Sequence, residues 1–150
     1  MGYRSDVAIA VAMGSKKDMD ELMAVYALNM YVQKHGLLSS WEIGEYDDAW
    51  VAMYVAEEVK WYESYEDVIG FSALPKLAET FWEERGLPYA YRFLRIGEEM
   101  DDVEISCNES DCGGHDDVQG SRLADLLADA LYVSRSVSND LTLTAHNDNN

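Results

Sequence analysis

From Tyr3 to Met13 the chain alternates, with branched Val7, Ile9 and Val11 separated by small Ala8, Ala10 and Ala12. Period two marks a strand, and apolar character on both faces marks a central strand covered on each side. Gly14 breaks the run. Ser15 with Asp18 then forms an S-x-x-D helix start, and Met19, Leu22, Met23, Tyr26 and Met30 recur on one helical face. The spacing predicts a single helix over residues 16–35, stopped by Gly36. Val25, Leu28 and Val32 widen its apolar surface, which suits burial on more than one side or contact with a second copy of the chain.

Residues 37–48 read as a connection with a short strand at Trp41–Ile43. Ala49–Val55 is a clearer strand, placing Trp50 and Tyr54 on one face and Val51, Met53 and Val55 on the other. A bulge at Glu57-Glu58 would let it continue into Val59-Lys60-Trp61-Tyr62. Ser64 and Asp67 repeat the capping pattern ahead of a second helix near Tyr65. Pro75 lacks the N–H and clashes with the preceding turn, so a break is expected near Ser72–Leu74, with a further segment to Arg85. Leu74, Leu77, Ala78, Phe81 and Trp82 form that segment's buried face, and Gly86 and Pro88 close it.

Tyr89–Ile96 and Val103–Ser106 are strand-like runs flanking Gly-Glu-Glu-Met-Asp-Asp, which predicts a hairpin with an acidic loop. Residues 107–120 read as a polar, acidic loop, Leu123–Ala130 as a short amphipathic helix opened by Ser121, and Leu131–Val137 as a last strand. The expected class is α+β, a single sheet of about four to six mostly antiparallel strands packed against two or three helices. One domain would cover residues 1–137, with the acidic loop at 107–120 and a flexible tail over 138–150.

At 150 residues and 48% apolar content, the chain can bury a sizeable core without disulfide or metal. No apolar run approaches the ~20 residues of a membrane span. The opening is too short and too poor in basic residues for a secretory signal, and Asp6 interrupts a myristoylation pattern. These features place the chain in a cytoplasm.

Charge changes the picture most. Eleven Lys and Arg face 29 Asp and Glu, a formal net charge of −18. From Gly97 onward, thirteen acids face only Arg122 and Arg135. Such a chain repels nucleic acid and attracts basic protein surfaces. Solubility and salt adaptation are the competing explanations of the acidity. Tyr89, Tyr91 and Phe93, in line on one strand, could stack single-stranded bases, but the acids beside them argue for a core role. The residues expected to meet a partner are Glu98, Glu99, Asp101, Asp102, Glu104, Asp111, Asp116 and Asp117.

Cys107, Cys112 and His115 form the one cluster with zinc-ligand chemistry, in C-x4-C-x2-H spacing. No C-x2-C pair accompanies it, so a surface loop with two reduced cysteines, or a local disulfide, is the plainer reading. Residues 98–104 lack the alternating pattern of a calcium loop, and His35 and His146 sit at a helix end and in the tail. No cofactor and no catalytic residue is assigned, because no triad, phosphate loop or paired catalytic carboxylate stands out.

Four segments, GYRSDVAIA at the start, VKWYESYEDV from Val59, FLRIGEEMDDVE from Phe93 and LYVSRSV from Leu131, occur in this order. Together they resemble small uncharacterised proteins carried by tailed bacteriophages and prophages. Residues 107–120 depart from that pattern. The resemblance implies no known activity and a phage setting. There, a small acidic non-enzyme would bind and inhibit a host protein with a basic surface, such as a nucleic-acid-binding defence or CRISPR complex, its carboxylates standing in for phosphates. One alternative is an enzyme or metal-dependent small-molecule binder, with a pocket between sheet and helices and Arg92 or Arg95 turned inward. Another is a virion assembly accessory that self-associates through residues 16–35.

Overall fold

The structure, a computed structural model, describes residues 3–99, 102–107, 118–135 and 141–145. Its centre is strand β1 (Ser5–Met13), buried along nearly its whole length. β1 pairs antiparallel with β3 (Ala49–Val59) on one side and β4 (Tyr89–Gly97) on the other. β2 (Glu42–Tyr46) and β5 (Val103–Cys107) form the edges, giving the order β2-β3-β1-β4-β5. The helices fall between strands so that the first part of the chain reads βαββαβ with alternating direction across the sheet. This is the split βαβ connectivity of ferredoxin-like domains, extended by one edge strand.

The two faces of β1 explain the layers. Val7, Ile9, Val11 and Met13 join Ala52 of β3 and Tyr89 of β4 beneath helices α1 (Lys16–Tyr26), α2 (Met30–His35) and α3 (Glu66–Arg85). Ala8, Ala10, Ala12, Ala90 and Leu94 face the other way. There α4 (Val118–Ala130) lays Leu123, Leu126, Leu127 and Ala130 against them, and the small alanines let the helix approach closely. β6 (Leu131–Arg135) and β7 (Leu141–Ala145) pair as a separate hairpin beside α4.

Several expectations change. Residues 16–35 form two helices, because Asn29 turns extended and its Oδ1 accepts from the N–H groups of Tyr31 and Val32 at 2.9 and 3.2 Å. The cap leaves Leu28 and Met30 exposed at the bend. Pro75 does not break α3, which runs unbroken for 20 residues while Phe71, Leu74, Ala78 and Phe81 are held against the sheet. That packing offsets a proline cost of about 3 kcal/mol. Trp82, expected to be buried, is exposed. Part of the expected tail is strand β7, whose alternation of Leu141 and Leu143 with Thr142 and Thr144 pairs with β6. The class is α+β with a five-stranded antiparallel sheet, as expected, and a second two-stranded sheet and a helix on the opposite face add to it.

Other expectations hold. Ser15 Oγ accepts from Asp18 N–H, and Gly36 and Gly86 end their helices at positive φ. The bulge lies at Glu57-Glu58, where Ser5 pairs with Val59 but Val7 with Ala56, and Glu58 takes φ 54°. The expected continuation of the strand through Tyr62 does not form: β3 stops at Val59, and Lys60, Trp61 and Tyr62 lie in the link to α3.

Candidate functional site

The acidic hairpin loop is a latch. Arg95 of β4 donates to Asp102 through both terminal nitrogens, Nη2 to Oδ1 at 2.9 Å and Nη1 to Oδ2 at 3.2 Å. Its Nε donates to Glu104 Oε1 at 3.1 Å, across the β4–β5 pair, and Nη1 also reaches Ser5 Oγ at 3.1 Å. Tyr3 Oη donates to Asp102 Oδ2 at 2.5 Å and accepts from Glu99 N–H at 2.9 Å. The hydrogen bonds from Arg95 first, then from Tyr3, hold the Asp102 carboxyl below its ordinary range. The same bond to Asp102 pushes the Tyr3 phenol up. Bidentate pairing of this kind fixes geometry as well as charge.

Of the eight expected partner-binding acids, Glu98, Glu99, Asp102 and Glu104 thus share one rim. Asp102 and Glu104 are spent on Arg95, and Glu98 accepts from Arg4 N–H at 2.9 Å. Glu99 enters this network through its backbone N–H, and its side chain is exposed. Asp101, Asp111, Asp116 and Asp117 lie outside the described residues. Cys107 is disulfide-bonded, so its sulfur is not a thiolate available to zinc, and Cys112 and His115 also lie outside the described residues. Among the described residues no three His, Cys, Asp or Glu side chains converge as metal ligands. No described helix is long and apolar enough to cross a membrane.

Beside this latch, between α3 and the sheet, lies a cavity of about 510 Å³. Its floor is aromatic: Trp61 stacks on Phe93 at 5.9 Å and on Phe71 at 6.1 Å, with Tyr91 and Ile9 alongside. Phe71 stacks in turn on Tyr54 at 3.9 Å. α3 supplies one wall through Val68, Ser72, Pro75, Lys76 and Glu79, and Glu63, Glu104 and Arg95 complete the mouth. Arg95 is therefore turned inward, as the small-molecule alternative requires. Arg92 is not. It points to the opposite layer, where its Nε donates to Leu131 O at 2.8 Å and burial lowers its pKa.

Tyr89, Tyr91 and Phe93 share the helix-covered face, where Tyr89 is buried in the core and Tyr91 and Phe93 are part-buried and line the cavity. The opposite face is covered by α4. Sequence reasoning missed Trp61, Glu63, Lys76 and Glu79 as one site. The available signal was an aromatic pair, Trp61-Tyr62, at the end of the strand-like run and followed by Glu63.

Connectivity and cavity together define an α+β module with an acid-rimmed aromatic pocket. Comparison with protein-family models, with curated proteins and with solved structures gave no match.

Proposed function

We propose that this protein is a non-enzymatic, stoichiometric binder of a host protein with a basic surface, and that it acts as an inhibitor in a phage or prophage setting. The observation that carries the reading is the net charge of −18 on a chain of 150 residues. A field of that size speeds encounter with cationic proteins and repels phosphate backbones. The acids that support it extend well beyond the hairpin loop. Exposed carboxylates recur at Glu42, Glu45, Glu57, Glu63, Glu79, Glu83 and Glu84. The host cytoplasm is the proposed compartment.

The cavity favours a second reading, a small-molecule binder, because its volume lies within the ligand-pocket range. Its inward guanidinium, however, is already matched by Asp102 and Glu104, which leaves it no free charge for an anionic substrate. Immobilised protein incubated with bacterial lysate should retain a discrete basic protein at low salt and release it at high salt. An eluate without such a protein overturns the reading.

A further inference from the structure

Three observations converge on the cavity and none requires the hairpin loop to be free. First, the lining is aromatic and not fully covered: Trp61, Tyr91 and Phe93 line the cavity and are each only part-buried. Aromatic faces carry negative quadrupole density and attract cations, tryptophan most strongly. Second, three glutamates from three separate segments line the cavity: Glu63 before α3, Glu79 on α3 and Glu104 on β5. Third, the cations there do not cancel them. Arg95 is shared by two carboxylates, Asp102 and Glu104, which leaves that cluster acidic by one charge. Among the described residues, Lys76 is the one other cation lining the cavity, against Glu63 and Glu79. The whole-molecule field adds to this local excess and disfavours an anionic occupant.

From these we infer that the cavity is an anchor pocket for an arginine side chain presented by the protein partner, its guanidinium stacked over Trp61 and held by Glu63 and Glu79. This rests on the proposed function and names the group that the basic partner inserts. Arginine fits better than lysine because a planar guanidinium both stacks on an indole and pairs side-on with carboxylates, whereas an ammonium does neither as well. A cavity of about 510 Å³ has room for the side chain together with the backbone that carries it. Buried anchors of this kind dominate the energetics of protein interfaces.

The probe is acetyl-Gly-Arg-Gly-amide titrated into ¹⁵N-labelled protein, with the Trp61 indole N–H assigned by its loss in Trp61→Phe. The arginine peptide should shift that resonance saturably. Its citrulline counterpart, which keeps the shape and loses the charge, should bind about tenfold more weakly. Glu63→Gln/Glu79→Gln changes two exposed side chains and should weaken the arginine peptide by a similar factor, while Lys76→Gln should strengthen it. Equal binding of the citrulline peptide, tighter binding of acetyl-Gly-Glu-Gly-amide, or an unmoved indole at tens of millimolar peptide would each overturn the inference. Free L-arginine binding more tightly than the peptide would overturn the protein source. If Glu63→Gln/Glu79→Gln still captures a basic protein with undiminished affinity, the anchor falls and the binder reading stands. If the peptide binds as expected and no partner is captured, the pocket's chemistry stands and the function falls.

Discussion

Tyr26 shows how much one phenol can hold together. It is 1% exposed, its Oη donates to Gly70 O at 2.9 Å, and it accepts from Trp41 Nε1 at 3.0 Å. It therefore ties α1 to α3 and orients Trp41, whose ring stands edge-on to Tyr26 and close to Phe71. Burial pushes its pKa up to about 12. A raised folded pKa means that the stabilisation is complete below pH 10 and is lost as pH climbs through 12. A displacement of that size is of order a few kcal/mol. Alkaline unfolding followed by circular dichroism should show this limb. Tyr26→Phe should remove it, while costing about 1–3 kcal/mol at neutral pH because Gly70 O and Trp41 Nε1 lose their partner.

Gly97 makes a second prediction at the same scale. A Cβ there would collide with Asp102 Oδ2 and Tyr3 Oη, so the latch closes only over a glycine. Gly97→Ala should lower Tm by several degrees through overpacking. It should also flatten the acid side of the stability profile. Asp102, with its pKa depressed, stabilises the fold above the ordinary carboxylate range and ceases to do so as pH falls through the depressed value. An unchanged acid midpoint in Gly97→Ala would show that Arg95 alone sets the carboxyl. None of this was legible beforehand, since Tyr3 and Asp102 are 99 residues apart and only the β1–β4 pairing brings them together.

Among the elements, what local pattern could reveal was legible. β1, β3, the β4–β5 hairpin and the glycine stops of α2 and α3 follow from period, bulge chemistry and positive φ. The misreadings arose where one residue competes with a longer pattern. Asn29 overrides the helical spacing of Met19 to Met30, because a side chain that caps two N–H groups outweighs propensity over one turn. Pro75 fails to override α3, because packing along four buried residues outweighs one absent donor. The β2–β3 turn was hidden differently. Asp47 and Asp48 occupy φ 49° and 67°, the left-handed pair of a two-residue hairpin, without the Asn-Gly that would signal it. Asp48→Gly should therefore stabilise the protein by about 0.5–1 kcal/mol, read as a higher denaturation midpoint at unchanged slope. A lower midpoint would mean that the Asp48 carboxylate makes a contribution larger than its backbone strain.

For the molecule as a whole, the question is whether attraction or repulsion dominates its charge. Among the described residues the attractive pairs are Lys16–Asp20, Lys34 and His35 with Glu66, Arg85–Glu21, and Arg95 with Asp102 and Glu104. All but the Arg95 pairs are substantially exposed, and exposed pairs are worth about 0–1 kcal/mol each. Repulsion is spread over 29 carboxylates with only 11 lysines and arginines to offset them. Salt weakens both, but it reaches the diffuse surplus most effectively. The screening length falls from about 30 Å at 0.01 M to about 3 Å at 1 M, whereas a pair at contact distance inside the latch is screened least. Raising sodium chloride over that range should therefore raise Tm throughout, by a few degrees for each kcal/mol of repulsion relieved. The cavity's preference for a cation depends on the same surplus, so arginine-peptide affinity should fall over the range in which Tm rises. A Tm that stays flat or falls would mean that the paired cations already balance the surface, and the long-range attraction on which partner capture depends would be absent.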